Sequence, residues 1–260
     1  MKISLAAILS LLIVQFHGQL ELTHTSFKVN NLGQITTISE EGIDQYTAEG
    51  KLLKHYSEDF LGSPSDIDKS SSLESLIFYK DVPGFQLLDN TLSPHSTLYD
   101  MNLSDFQNVT AVCISNDNTF WAYDAVTFEV LRFDESYEIL ERSGNMAVFL
   151  GKDLDPVSMM ISGNRLYIGD KKEGILVFDL FANYLLTIPI SETMIDMDVT
   201  SQHIYAATSD AIIRLDKKGI SESVYSIKGS SLIAMDIEHN MLHWGDGKSI
   251  HSLLLNSLFD

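Results

Sequence analysis

Cysteine is almost missing from this chain: Cys113 is the sole one in 260 residues. That excludes a disulfide scaffold, a CxxC redox pair and a zinc ribbon, each of which needs at least two. Basic residues are scarce as well, 17 Lys+Arg against 36 Asp+Glu, for a formal charge of −19. A nucleic-acid backbone is recognised by clustered positive charge, so this surface repels it. Long apolar runs are absent too. The longest, residues 3–14, spans about 12 positions, short of the roughly 18 or more needed to cross hydrocarbon as a helix. No GxSxG, HExxH, GxGxxG or GxxxxGK[ST] string occurs, so no nucleophile elbow, zinc-binding helix or phosphate cradle is encoded locally.

What is present is ample material for a core, 45% apolar and 10% aromatic residues, unlike a disordered chain. Residues 1–18, MKISLAAILSLLIVQFHG, place Lys2 before an apolar run broken only by Ser4 and Ser10. This is the pattern of a secretory signal peptide, a buried helix being the alternative. Cleavage is expected near Gly18, although Phe16 stands where a small residue is usual. The expectation is a single domain over residues 19–260, periplasmic or secreted, with no membrane span.

A spacing of about forty residues recurs along that domain. In the clearest copy, four β-branched and aromatic stretches at 156–161, 166–170, 174–179 and 184–188 are separated by turn residues. Further copies occupy 109–140 and 195–227, a last one with three stretches occupies 232–255, and two weaker ones cover 35–53 and 76–89. The apolar residues closing each third stretch are Tyr46, Leu88, Phe133, Phe178, Leu215 and Leu254, separated by 42, 45, 45, 37 and 39 residues. Four short strands at that period are the mark of a β-propeller blade. The expected fold is all-β, a six-bladed propeller with four-stranded blades. A three-stranded final blade would leave an open edge, so residues 19–24 (QLELTH) are expected to pair as its outer strand and close the ring.

Much of the acidity falls at equivalent repeat positions. Asp89, Asp134, Asp179 and Asp216 follow third strands, and Asp124, Asp170 and Asp246 end second strands. A short carboxylate there accepts backbone N–H groups two residues on, so these are read as turn residues. Asp66, Asp198 and Asp236 are placed instead at the penultimate position of innermost strands, with Asp196 two residues before Asp198. Several carboxylates converging at a channel mouth could hold Ca²⁺, which takes six to eight oxygens. Against that, the other three blades carry Lys28, Cys113 and Met160 at this position, and blade-to-blade hydrogen bonding is the plainer explanation.

The aromatic and polar candidates for a ligand surface are Tyr79, Lys80, Trp121 and Tyr123, from matching second-strand stretches of neighbouring copies, and Trp244, the last copy's counterpart of Ala122, one register beyond Trp121. Aromatics on a channel mouth would suit a sugar, a peptide or another planar ligand; alternatively they wedge between blades. Cys113, between Val112 and Ile114, is expected to be a buried, unreactive thiol. His239 and His243 are read as solvated or packing residues rather than metal ligands.

Several of these strings carry a resemblance. The FYKD at 78–81 with residues 85–90, residues 118–124, and above all GILVFDLFANY at 174–184 continuing to Ile190 resemble a group of secreted Bacteroidota proteins. These are six-bladed propellers of the broad NHL/YncE-like kind, with no established activity. The resemblance spans nearly the whole mature chain and implies the same fold, but no catalytic or binding residue. Asn183 stands before Tyr184 where that group tends to have Gly, so the turn there departs from its pattern. The function expected is a non-catalytic binding or scaffold propeller of the cell envelope. Its partner would be an envelope protein, a peptide or a glycan with cationic character, since 16 basic against 36 acidic residues after loss of Lys2 gives −20. The alternative, by analogy of fold, is a Ca²⁺-dependent hydrolase or lactonase acting at the channel mouth through Asp66, Asp198 and Asp236.

Overall fold

The computed structural model describes residues 18–58, 60–69, 71, 73–103, 105–115, 117–227, 231–255 and 258. The expected signal peptide lies outside them except for Gly18. Six antiparallel sheets of four strands each account for the fold. Blade 1 is β2 (Ser26–Val29), β3 (Ile35–Ser39), β4 (Gly42–Tyr46) and β5 (Leu52–Tyr56). Blade 2 is β6 (Asp66–Asp68), β7 (Glu74–Tyr79), β8 (Gly84–Asp89) and β9 (Tyr99–Asp100). Blade 3 is β10 (Val109–Ile114), β11 (Phe120–Asp124), β12 (Glu129–Phe133) and β13 (Ile139–Arg142). Blade 4 is β14 (Pro156–Ser162), β15 (Arg165–Asp170), β16 (Gly174–Asp179) and β17 (Tyr184–Ile188). Blade 5 is β18 (Asp196–Val199), β19 (His203–Ala207), β20 (Ala211–Asp216) and β21 (Ser221–Ser226). Blade 6 runs β22 (Ala234–Glu238), β23 (Met241–Gly245), β24 (Ser249–Leu254) and then β1 (Gly18–Glu21), which pairs with β24 at the chain's other end. The protein is a six-bladed β-propeller.

The middle strands are apolar on both faces because each blade packs face to face on two neighbours. Phe120 and Ala122 join Phe78 and Phe85 of blade 2, while Trp121 and Tyr123 join Leu166 and Leu176 of blade 4. The same alternation gives six inter-blade clusters in ring order, the last uniting Leu22, Phe27 and Val29 with Ala234 and Ile250. Burial on both faces makes these strands read as continuous apolar runs.

The turn carboxylates do what their positions suggest. Asp89, Asp134, Asp179 and Asp216 each accept two backbone N–H groups, two and four residues on. The residue three positions on is left-handed in every case: Leu92, Tyr137, Ala182 and Gly219. Blade 1 builds the same turn with Thr47, whose hydroxyl accepts from Glu49 and Lys51 while Gly50 takes the left-handed position. A hydroxyl can accept as a carboxylate does, so a search for acidic residues alone passes over this copy. A short helix, α1 (Met146–Leu150), is also unannounced by any periodicity; Asn145 caps it by accepting from Val148, and Gly151 ends it in the left-handed region.

The closing segment is anchored by a buried histidine. The His24 backbone donates to the Gly247 carbonyl at 3.2 Å, and its ring meets Phe27 edge-on with centroids 5.4 Å apart. Nδ1 faces the Leu22 carbonyl at 2.6 Å, which can only accept, and Nε2 faces the Gly247 N–H at 3.4 Å, which can only donate. These partners select the neutral Nδ1–H tautomer, and burial lowers the ring's pKa in agreement. Gly245 makes the seat: a Cβ there would lie 2.0 Å from His24 Nε2.

Candidate functional site

The six innermost strands β2, β6, β10, β14, β18 and β22 surround the axis, and register decides which residues share a level. Hairpin pairing aligns Asp68, Cys113, Met160, Asp198, Asp236 and Lys28. Asp68, and not Asp66, is therefore the blade-2 counterpart of Asp198 and Asp236. β6 ends at Asp68, so Asp66 opens the strand and stands level with Asp196. The penultimate position expected for Asp66 is corrected by two residues, because strand length in this short blade could not be judged from pattern alone.

At the deeper level the carboxylates act as bridges between blades. One oxygen of Asp198 accepts from Ile237 N at 2.7 Å, Asp236 accepts from Val29 N at 2.8 Å, and Asp68 accepts from Ile114 N at 2.8 Å. Asp196 reaches Met235 N at 2.8 Å in the same way. Inner strands of neighbouring blades splay too far apart to pair as a sheet, so their facing N–H groups would be orphaned without these acceptors. The remaining oxygens of Asp196 and Asp198 accept from the next backbone N–H of their own strand.

Four carboxylates drawn together need a counter-charge, and Lys28 supplies it. Its Nζ lies 3.3 Å from Asp236 Oδ1, with the Lys28 side chain 20% exposed to the channel. Burial works to lower its pKa, but Asp236, Asp196, Asp198 and Asp66 outweigh it and hold the ammonium charged far above the usual lysine range. The cavity around it measures about 260 Å³. A second lysine, Lys69, donates to Thr36 Oγ1 at 2.9 Å and is lowered by burial to about 8, against the pull of Asp236.

Toward the end where the inner strands begin, the channel opens into a mouth of about 220 Å³. Ser26, Ala111, Ser158 and Ala234 leave space there, and the two charged residues at this level are Asp66 and Asp196. Asp66 differs from the other axial aspartates: among the described residues its carboxylate accepts only from the adjacent Ile67 N–H, at 2.8 Å. Burial first, with Asp196 and Asp68 adding and Lys28 opposing, pushes it up to about 7; Asp198 rises to about 6, by burial and then Asp236.

These shifts have a sign. A carboxyl whose folded pKa exceeds its unfolded value holds protons more tightly when folded. Its stabilising contribution is complete below about pH 4 and is lost as pH rises through 6 to 7. The melting temperature should therefore fall between pH 5 and pH 8, with Asp66 responsible for on the order of 2 kcal/mol. Asp66→Asn should flatten that fall in a pH series of thermal melts; a slope as steep as wild type would place the titration elsewhere.

The channel thus gathers Asp66, Asp198 and Asp236, but not as free ligands. Among the described residues no three His, Cys, Asp or Glu side chains form a metal-ligand group. Tyr79, Trp121, Tyr123 and Trp244 are not brought to the mouth: all four are buried in inter-blade clusters. Lys80 is exposed at the rim, its backbone N–H donating to Ser65 Oγ. Cys113 is buried, and its thiol is pushed up by burial and by Asp68 and Asp66.

No family model and no curated protein matches the chain. Among solved structures it is similar to virginiamycin B lyase from Staphylococcus aureus, with a TM-score of 0.63, 11% identity, and coverage of 88% of this chain and 82% of that one. It is also similar to the computationally designed Ika8 protein, with a TM-score of 0.54 and 12% identity over 88% of this chain and 70% of the other. At such identities the likeness establishes the fold alone.

Proposed function

We propose that this is a non-catalytic binding or scaffold propeller of the cell envelope, of the NHL/YncE-like kind, that receives a cationic group of its partner at the channel mouth. The observation that carries this reading is Asp66, a desolvated carboxylate beside Asp196 in a mouth where Ser26, Ala111, Ser158 and Ala234 leave space at their level and Lys80 stands at the rim. A lysine or arginine side chain, or an amine on a glycan, would add at the mouth to the counter-charge that Lys28 provides from the deeper level, and the net charge of −19 would steer such a partner toward it. Capture of partners from an envelope extract at low and moderate salt, with Asp66→Asn as the comparison, tests this. Bound protein or glycan that is lost with salt and with the variant is expected; nothing above background at either salt overturns it.

Calcium-dependent hydrolysis is the second reading, and the axial carboxylates speak against it. Asp198 has both oxygens on backbone N–H groups, Asp236 is shared between Val29 N and Lys28, and the ammonium already stands among them. Calorimetric titration with millimolar Ca²⁺ is expected to give no heat. Heat that Asp198→Asn abolishes would restore the metal reading.

A further inference from the structure

The opposite face of the ring carries a site of the other sign. The turns joining β14 to β15 and β18 to β19, together with the end of β20, border an open surface depression of about 570 Å³ between blades 4 and 5. It is lined by Ser162, Asn164, Arg165, Tyr167, Ser201 and Lys217, with Gly163 at the turn. Among the described residues no carboxylate lines it, in a chain with 36 acidic residues against 17 basic. Arg165 and Lys217 make no ion pair among the described residues, as is also true of Lys51, Lys54 and Lys80, whereas Lys28, Arg132, Arg142, Lys152 and Lys171 are each paired.

Both cations stand near Tyr167. Lys217 Nζ lies 5.1 Å from the centre of the Tyr167 ring, and Tyr167 is buried at 2% exposure, so the ring is a fixed platform for the ammonium. The Arg165 charge acts on the same tyrosine, opposing the rise that burial gives its hydroxyl. Two like charges against one aromatic are mutually unfavourable until an anion lies between them. Asn164 and Ser201 add a neutral amide and a hydroxyl donor around the same space, while the Ser162 hydroxyl donates to the Thr200 carbonyl at 3.4 Å.

We propose that this pocket binds an oxyanion group, the phosphate, sulfate or carboxylate of a small molecule or glycan, with Arg165 as the forked donor and Lys217 as the point charge. A guanidinium matches two oxygens at once, and an ammonium complements the remaining charge. The site is independent of the axial mouth and takes ligands of opposite sign. Lys217 is lowered to about 8 by burial and then by Arg165, with Asp198 opposing at longer range. Anion affinity should therefore fall as pH rises from 7 to 9.

The test is calorimetric titration of the full protein with inorganic phosphate, sulfate and glucuronate at constant ionic strength, which also separates the three sources. Saturable binding to at least one is expected. It should weaken by at least tenfold in both Arg165→Gln and Lys217→Gln, and decline from pH 7 to pH 9. Acylation mapped by mass spectrometry gives an independent readout in the unmutated protein: Lys217 should be modified at pH 8 and protected by the bound anion. Absence of saturable binding to all three probes, or binding that both variants retain while folded by thermal melt, overturns the proposal.

Discussion

Lys28→Met should destabilise the protein by about 3–5 kcal/mol at pH 8, the scale for stranding buried charge by removing its partner. Methionine preserves the length and apolar stem of the side chain, so packing around β2 is kept and only the ammonium is lost. Asp66, Asp196, Asp198 and Asp236, all within its field in the wild type, would then face one another without a counter-ion. They can relieve the repulsion by taking up protons, so the loss should shrink on going from pH 8 to pH 5. Denaturant melts of both proteins at the two pH values measure this directly. Equal stability at pH 8 would remove Lys28 from its role as the axial counter-charge. A loss that does not depend on pH would assign the effect to packing instead.

Deleting residues 19–25 should lower the melting temperature by roughly 10 °C or more, on the scale of 2–4 °C per kcal/mol for a chain of this size. The deletion uncovers the β24 edge now paired with β1, removes Leu22 from the cluster with Phe27 and Ala234, and takes away His24. An unpaired outer strand is also an edge that other chains can join, so faster aggregation on heating is expected. Gly245→Ala keeps the chain at full length and tests the same closure from the other side. Its Cβ would meet the His24 ring at 2.0 Å and should reproduce part of the loss. An unchanged melting temperature in both variants would show that the ring does not depend on its N-terminal strand.

Within a blade the sequence was a dependable guide, and the turn residues show why. Asp89, Asp134, Asp179 and Asp216 bond to N–H groups two and four positions away. A contact that short leaves its trace at a fixed offset in the chain. Thr47 escaped only because a hydroxyl performs the same task in blade 1. The burial of Trp121 and Tyr123 is a different matter. Their alternation indicates a strand, but whether a face meets solvent, a ligand or another sheet depends on the neighbouring blade, and here blade 4 covers them.

Sequence alone therefore determined the repeat, the number of blades, the turn chemistry and the return of an N-terminal strand to the final blade, although the paired residues are Gly18–Glu21 rather than 19–24. All of these follow from local pattern, or from the cost of an open strand edge. Only the tertiary structure decided that Asp68 rather than Asp66 stands level with Asp198, that Lys28 lies among the axial carboxylates, and that Arg165 and Lys217 share one aromatic platform. Those residues belong to different blades, and a ring sets their heights and distances through the stagger of its strands, which repeat spacing does not encode.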